Sequence, residues 1–344
     1  MSLLLTGWPG AAPIRERVGA ALDVFLAGRT LPSTEEFRPL PALVIAGSAR
    51  GGRRTRSLAC AAGAFTGGAD PLSPTLVKVG AALELFGVYA EIHAGVRHRS
   101  SAVQRELAAA LGDPAFGTSG AILLGDLCLV WSQELLESAG LPPAARPIVS
   151  ALRTEAIAGQ YLDADESLPP YDEARAWKVT RLSASVPRPL QLGATLAGAP
   201  RSALALCAAY GTLAGEALQL RDDLHSAFGD TAGTAHSGDP RGGVEGSGDL
   251  RDGRRTVLMA LAWRHADEAQ RRVISALHGC ADLDDEGVRA LRAVIRATGA
   301  DRMVADLIAD RTERAMAVVR DADLPGPAAL ALGELVFRGP DAGR

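Results

Sequence analysis

Apolar residues recur at spacings of three and four along almost the whole chain, in Ala- and Leu-rich blocks that Gly, Pro and Asp clusters interrupt. This spacing puts apolar side chains on one face of a helix, and no segment shows the period of two that predicts a strand. The sequence therefore predicts an all-α protein. Helices are predicted at about residues 13–28, 51–66, 72–98, 101–111, 116–139, 143–163, 169–182, 188–197, 200–229, 253–278, 284–298 and 300–321.

The domain organisation follows from length and composition. The chain has 344 residues, of which 47% are hydrophobic, so it can bury a large core. No Pro/Gly-rich linker divides it, and we predict one helical domain over residues 1–344, with about 1–12 and 323–344 peripheral. Residues 231–248 are dense in Gly, Ser and Asp and cannot bury enough apolar area to order themselves. We interpret them as a mobile lid over a ligand; a surface loop without a role is the alternative.

Charge and cysteine content narrow the class of protein. A formal charge of -4 indicates no nucleic-acid-binding face. No run reaches the roughly 18 apolar residues that predict a membrane span, and the N-terminal residues do not have the pattern of a signal peptide. Four widely spaced cysteines, Cys60, Cys128, Cys207 and Cys280, lie in apolar helical contexts and predict buried reduced thiols in a cytoplasmic protein.

A pair of adjacent carboxylates, Asp222 and Asp223, lies inside a mostly apolar stretch of helical period. Unpaired carboxylates there would be costly, so a cation must compensate them. Mg2+ binds one or two carboxylates together with substrate phosphates, which makes a Mg2+-bound phosphate ester one interpretation. A solvated or arginine-paired patch is the other.

Three basic segments could bind phosphate. Gly51 and Gly52 precede Arg53, Arg54 and Arg56, and guanidinium groups fit phosphate oxygens. The second segment, 249–256, mixes acids with Arg251 and Arg254 just after the candidate lid. The third runs from Arg153 to Asp163 and on to Lys178, Arg181 and Arg188. Ordinary solvated helix surfaces are the alternative for each.

In this order, the segments resemble the trans-prenyl diphosphate synthase family, all-helical enzymes that join allylic and homoallylic isoprenoid diphosphates. The resemblance covers most of the chain. Residues 51–57 are similar to the family's GGKRLRP segment, and 249–256 to its DLREGKRT segment. Further similar segments are Leu83–Phe86, Ile92–His93, Ala121–Asp126, Gly159–Asp163, Arg188–Leu190 and Gln219–Asp230.

The resemblance implies a fold and a set of site residues. It implies one isoprenoid-synthase helical bundle around a central cavity, and Mg2+ held by Asp222 and Asp223, with Gln219 alongside, against an allylic prenyl diphosphate. The second diphosphate would contact the Gly52 segment, mainly Arg53 and Arg56. The lid residues would be Asp249, Arg251 and Arg254. Lys178 or Arg181 would stand for a family lysine, although the register places Thr180 at that position.

The chain departs from the family at its first Asp-rich motif. Where the family has DDxxD, residues 94–98 read Ala-Gly-Val-Arg-His, so the acids of that motif are lost. Gly87 replaces a histidine expected to hold the homoallylic diphosphate, the stretch 100–113 is too short for the family's Arg-Arg loop, and Ser226 replaces the last Asp of the second motif.

Two substitutes for the lost motif are open. Arg97, His98 and Arg99 could meet diphosphate oxygens directly where metals would have bridged them. Alternatively Glu91, one helical turn before Ala94, offers a carboxylate, unless it forms an ion pair with Arg97 or Arg99.

Three functions follow from these matches and departures. The first is a Mg2+-dependent prenyltransferase, and the resemblance implies that Tyr89 limits its product to about C15–C20. The second is a non-catalytic partner subunit of a complete prenyl synthase. The third is a terpene cyclase or a transferase to another acceptor. The family also implies a homodimer, or a heteromer in the second case.

Overall fold

The computed structural model describes residues 7–29, 54–97, 108, 114–165, 167–229, 247–280, 282–322 and 324–337. Within these ranges the chain is helical and contains no strand, which confirms the predicted all-α class. The helices are α1 Ala11–Ala27, α2 Thr55–Thr66, α3 Pro74–Arg97, α4 Pro114–Ser138, α5 Arg146–Ala164, α6 Glu173–Ser183, α7 Pro187–Leu196, α8 Arg201–Phe228, α9 Gly248–Asp252, α10 Val257–His265, α11 Glu268–Leu277, α12 Asp285–Ala297, α13 Ala300–Arg320 and α14 Gly326–Phe337. A 3-10 turn at Pro143–Ala145 leads into α5.

Most of the predicted helices are confirmed to within a few residues, but the one predicted at 253–278 is wrong. It is two helices, α10 and α11, which meet at Ala266 and Asp267. The Asp267 carboxylate accepts from the Gln270 backbone, and the Gln270 side chain accepts from the Asp267 backbone. This capping box starts a new helix inside a continuous apolar pattern. Of the helix predicted at 101–111, all but residue 108 lies outside the described residues.

Two hydrophobic clusters meet along α8. The larger cluster contains α1 to α5, α7, most of α8, the end of α13 and α14. The smaller one contains α6, the end of α8, and α9 to α12 with the start of α13. Leu218 belongs to the first and Leu220 to the second, so the segment Gln219–Asp223 lies at the junction.

Helices α2 and α7 cross at unusually short range. A Cβ at Gly63 would lie 2.0 Å from the Leu190 carbonyl oxygen, and one at Gly193 would lie 1.8 Å from the Cys60 carbonyl oxygen. Only glycine permits this contact between the two backbones. It fixes α2 against the core.

The C-terminal segment is not peripheral, contrary to our expectation. Helix α14 buries Leu332 and Val336 in the larger cluster, and its Leu332 carbonyl accepts from the Tyr210 hydroxyl at 2.5 Å. At the other end of the chain, the Trp8 indole donates to Glu334 at 2.5 Å. Helix α14 is almost entirely apolar and has little contrast between a polar and an apolar face. Because that contrast marks an amphipathic helix, the sequence pattern did not predict α14.

Two further predictions from the sequence, on buried cysteines and on membrane spans, differ in part from the structure. Cys60, Cys128 and Cys207 are buried free thiols, but Cys280 is exposed because it follows the end of α11. Two helices, Gly117–Ser138 and Arg201–Phe228, are long and apolar enough to cross a membrane. At least half of each apolar window is buried inside the protein, as in core helices of globular proteins.

Candidate functional site

The paired acids lie near the C-terminal end of α8, at the junction of the two hydrophobic clusters. Asp223 is only 4% exposed, and the Gln219 side-chain amide donates to its Oδ1 at 2.8 Å. Desolvation raises the pKa of Asp223, and the nearby charge of Asp249 raises it further. Asp222 is half-buried beside it. The predicted acidic site is thus a buried feature rather than a solvated patch.

Helix α9 brings a second acid to Asp223. The Ser226 hydroxyl accepts from the Asp249 backbone N–H at 3.1 Å, which fixes α9 to the end of α8. Asp249 Oδ1 accepts from Arg254 Nη1 at 3.1 Å, whereas Oδ2 is buried with no hydrogen-bond partner among the described residues. One carboxylate oxygen next to Asp223 is therefore left without a donor or cation.

Arg254 lies among three acids. Its pKa is raised by Asp249 and, more weakly, by Asp223 and Asp163, while desolvation opposes them. These three carboxylates come from α9, α8 and α5. The guanidinium of Arg254 therefore joins the α8 side of the site to α5.

The end of α3 approaches the same place from the opposite side. Arg97 Nη2 donates to Asp163 Oδ2 at 2.6 Å, and Arg97 Nη1 donates to the Gln160 carbonyl at 2.9 Å. The Gln160 amide in turn donates to the Ala90 carbonyl at 3.0 Å, which ties α5 to α3. Burial lowers the pKa of Arg97; Asp163 counteracts this shift and the charge of Arg254 adds to it. The Arg97 guanidinium is thus held by two contacts and lies within electrostatic range of Arg254.

We call these five residues, Arg97, Asp163, Asp223, Asp249 and Arg254, the acid–guanidinium cluster. They converge from α3, α5, α8, α9 and the turn after α9. Fixed guanidinium groups can bind phosphate oxygens, and carboxylates with unsatisfied oxygens can bind a hard cation. The cluster is therefore equipped for a polyanion that arrives with a divalent metal.

Arg56, on α2, packs against α3 at Gly87, ten residues before Arg97 and therefore about 15 Å from it along the helix axis. Its Nη1 would be 2.5 Å from a Cβ at Gly87, so the guanidinium occupies the space that a side chain at position 87 would need. Glu91 is near enough for the Arg56 charge to lower its pKa, although desolvation dominates and raises it. Glu91 nevertheless lies at the solvent-exposed surface of α3. Arg97 pairs with Asp163 in this structure, whereas Arg99 lies outside the described residues, so an ion pair between Glu91 and Arg99, or an interface contact of Glu91, stays a prediction.

Arg54 points away from the other predicted phosphate ligands. Its backbone has φ 55, it precedes the first residue of α2, and its Nη2 lies 3.7 Å from a Cβ built at Gly19 of α1. Its carbonyl accepts from the Ser57 hydroxyl, and the Ser57 N–H donates to Glu84. Arg54 therefore fixes the start of α2 against α1, and does not join the acid–guanidinium cluster.

The structure does not bring the two cationic residues predicted on α6 to the cluster. Lys178 is exposed, and Arg181 Nε donates to Glu216 Oε1 at 2.7 Å. Glu216 also accepts from Arg311, so its buried carboxylate is held by two guanidinium groups. Thr180, which occupies the family's lysine position, is buried.

The predicted lid residues divide into two groups. Asp249 and Arg254 belong to the cluster, whereas Arg251 turns away and donates to the Ser247 hydroxyl at 3.0 Å and to Asp285 at 2.6 Å. Gly52, Arg53, His98, Arg99 and residues 231–246 lie outside the described residues.

Tyr89 is buried about two helical turns before the end of α3. Its ring centroid lies 5.5 Å from that of Phe86 and 4.6 Å from that of His93. The His93 ring packs over Gly125 of α4, and its Nε2 lies 3.4 Å from Asp126 Oδ1. Tyr89 is therefore part of a packed aromatic row on α3, consistent with a rigid wall.

The sequence analysis assigned no role to Asp163, which is central to the cluster. It appeared there only as the last residue of a matching segment. The partner of Asp163, Arg97, is 66 residues away on another helix. The residues around Asp163 therefore do not predict this ion pair. Ser226 was noted only as a departure, although its hydroxyl holds Asp249 in place.

The helical architecture and a convergent Asp/Arg site define the class of the all-α isoprenoid synthases. A family model described as polyprenyl synthetase matches residues 41–295. The chain belongs to this family. The sequence-based resemblance and the predicted fold are thereby confirmed.

Individual relatives agree with this assignment. A geranylgeranyl pyrophosphate synthase structure from Corynebacterium glutamicum, in complex with isoprenyl diphosphate and magnesium, has a TM-score of 0.84 and 31% identity, covering 96% of this chain and 99% of that one. A polyprenyl synthase structure from Caulobacter crescentus has a TM-score of 0.75 at 23% identity, covering 95% of each chain, and shows the fold alone. A (2E,6E)-farnesyl diphosphate synthase of Mycobacterium tuberculosis is 31% identical over 199 residues, or 54% of this chain. The chain spans about half the length of such curated relatives, 52% in this case.

Proposed function

We propose that the chain is a prenyltransferase that makes short-chain prenyl diphosphates of about C15–C20 in the cytoplasm. The relatives named as farnesyl and geranylgeranyl diphosphate synthases support this product range. The observation that carries the proposal is the convergence of Asp223, Asp249 and Arg254 at the end of α8. A buried set of acids and a guanidinium group of this kind fits a diphosphate bound with a divalent cation.

Mg2+ fits the α8 side of this site. Asp249 Oδ2 is buried beside Asp223 with no hydrogen-bond partner among the described residues, and Asp222 is adjacent, so a carboxylate oxygen is available to a cation there. No group of three or more His, Cys, Asp or Glu side chains among the described residues forms a metal cage. Mg2+ needs no such cage, because it uses one or two carboxylates together with waters and substrate phosphates. When bound, it would supply charge stabilisation for the departing diphosphate.

The chain's own residues have separate tasks in this proposal. Asp222 and Asp223, with Gln219 orienting Asp223, hold the metal side of the allylic diphosphate. Arg254 lies beside them as a fixed cation where negative charge develops as the allylic carbon–oxygen bond breaks. Arg56, next to Gly87, is suited to the diphosphate of the second, homoallylic substrate. Tyr89 limits the length of the hydrocarbon product.

A non-catalytic partner subunit is the second candidate function. The residues at positions 94 and 95 of α3 carry no acid, and α4 exposes Leu123 and Val130, which are 65% and 60% accessible. Exposed apolar residues on one helix favour a contact with another protein chain. That chain would be a second copy in a homodimer or a complete prenyl synthase in a heteromer.

An assay of the purified chain separates these functions. With Mg2+ and C10, C15 or C20 allylic diphosphates, we expect elongated products only when the C5 homoallylic diphosphate is present. Products from allylic substrate alone would instead indicate a cyclase. If neither products nor diphosphate release appears in any combination, the prenyltransferase proposal is wrong, and recovery of activity on mixing with a complete synthase would support the partner subunit.

A further inference from the structure

We propose that Arg97 is a diphosphate-binding residue that replaces metal ions on the α3 side of the site, so that the chain binds diphosphate with a single divalent cation. This inference rests on the proposed function, because it names how the same site holds its ligand. It concerns the end of α3, where the sequence 94–97 offers no carboxylate and one guanidinium.

Arg97 is held in place by hydrogen bonds to groups on α5. Its two terminal nitrogens make hydrogen bonds to Asp163 at 2.6 Å and to the Gln160 carbonyl at 2.9 Å. The Arg97 side chain is 21% exposed and that of Asp163 is 6% exposed, so Arg97 is positioned by its contacts and is still partly accessible to a ligand. A positioned, partly accessible guanidinium is the side chain best suited to binding phosphate oxygens.

Arg97 lies within electrostatic range of a second guanidinium, that of Arg254. Arg97 and Arg254 both interact electrostatically with Asp163, which raises the pKa of each, and the charge of Arg254 lowers the pKa of Arg97. Two like charges held near each other repel, and a polyanion between them relieves that repulsion. A diphosphate has enough oxygens to contact both guanidinium groups at once.

The carboxylates on the two sides of the site differ in whether a cationic side chain already neutralises them. On the α3 side, Asp163 is already neutralised by Arg97, so a metal ion there would have to displace a buried ion pair. On the α8 side, Asp249 retains an oxygen with no hydrogen-bond partner among the described residues. Among the described residues, the cluster therefore offers an unpartnered carboxylate oxygen to a cation on the α8 side.

The experiment counts metal ions and measures binding with inorganic pyrophosphate as the probe. We expect the full-length protein, saturated with pyrophosphate and titrated with Mn2+, to bind one Mn2+ per chain by electron paramagnetic resonance. Arg97→Ala should weaken pyrophosphate binding by about 10- to 100-fold in calorimetry, because a charged hydrogen-bond donor is lost, while the metal count stays at one.

Two variants guard against a folding effect. Arg97→Lys keeps the charge without the planar fork and should weaken binding by only about 3- to 10-fold. Arg264→Ala is the matched control, because Arg264 of α10 also pairs with a carboxylate on another helix, Glu173 of α6, and lies outside the predicted phosphate-binding segments. This control should bind pyrophosphate within about twofold of the natural chain.

Three results would overturn the inference: two or three Mn2+ ions per chain, unchanged pyrophosphate affinity in folded Arg97→Ala, or no pyrophosphate binding by the natural chain with Mn2+. Turnover of allylic diphosphate by the natural chain is scored separately. If turnover is present while Arg97→Ala binds normally, the inference fails and the proposed function stands. If pyrophosphate binds as expected but no product forms, the inference stands and the prenyltransferase proposal fails.

Discussion

The two sides of the site neutralise their charges in different ways. On the α3 side, the charge of Asp163 is met inside the protein by Arg97 through a 2.6 Å hydrogen bond. On the α8 side, Asp223 and Asp249 are buried close together, and among the described residues Arg254 is the guanidinium that donates to Asp249. The α3 side is therefore electrostatically complete, whereas the α8 side needs a further cation.

This difference shows how a family site can change without losing its fold. Losing the acids of a metal-binding motif also removes the metal ions that they would hold, and an arginine there can supply part of the lost positive charge. Arg97 lies at such a position on α3 and pairs with Asp163, a residue on another helix. In the proposed site, the metal is then held by α8 and α9.

The largest expected effect tests the metal on the α8 side. Asp222→Asn removes one carboxylate charge while keeping size and shape, and should lower the rate of diphosphate release by about 100- to 1,000-fold, because a positioned stabiliser of the leaving group is lost. The measurement is steady-state release of diphosphate from an allylic substrate at saturating Mg2+.

Asp306→Asn is the control for this variant, because Asp306 is an exposed residue of α13. It should retain the natural rate within about twofold. If Asp222→Asn also retains the natural rate, the metal is not held by α8, and the contrast between the two sides disappears.

The part of the site that sequence could predict is the part coded within single helices. Asp222, Asp223 and Gln219 lie within one turn and a half of α8, and the apolar period around them revealed both the helix and the acids. The pairing of Arg97 with Asp163 could not be predicted, because it depends on how α3 and α5 cross. Sequence also assigned Arg54 to phosphate binding, since nothing local shows that its side chain turns towards α1.

The second prediction concerns the histidine behind the α8 side. Burial lowers the pKa of His278 to about 4, its Nε2 has no hydrogen-bond partner among the described residues, and its Nδ1 lies 3.2 Å from the Tyr171 hydroxyl. The unfolded chain therefore takes up a proton near pH 6.5, whereas the folded chain does so only near pH 4. Stability should fall by about 3 kcal/mol as the pH drops from about 6.5 to about 4, and this contribution should be constant below that.

His278→Gln isolates this effect from the titration of carboxylates. In urea unfolding between pH 4 and 8, the stability of the natural chain should fall by about 3 kcal/mol relative to that of His278→Gln as the pH drops, since glutamine takes up no proton. If the two stability curves run parallel, His278 has the same pKa in the folded and unfolded chain, and it does not make the stability of the α8 side depend on pH.

The third prediction concerns the turn that presents Arg254. Gly253 has φ 68, and a Cβ there would lie 2.8 Å from the Gly279 Cα, so a side chain must shift the backbone. Gly253→Ala should destabilise the protein by about 2 kcal/mol. Gly140→Ala is a matched control with φ 67 and nothing within 4 Å, and should cost only about 1 kcal/mol. Equal costs in urea unfolding would mean that the contact with Gly279 yields freely.

The smallest expected effect is on the α3 side, where Glu91 partly offsets the charge of Arg56. Glu91→Gln removes a negative charge beside a guanidinium that we assign to the second diphosphate, so the KM for the C5 homoallylic diphosphate should fall by about 3- to 10-fold at pH 8. Because burial raises the pKa of Glu91, the natural carboxylate gains a proton as the pH falls, and the two proteins should then approach the same KM. Glu286→Gln, on exposed α12, should leave KM unchanged at every pH. A KM that rises in Glu91→Gln would show that the carboxylate contributes to binding, as a metal ligand would, and the α3 side would then not be free of metal.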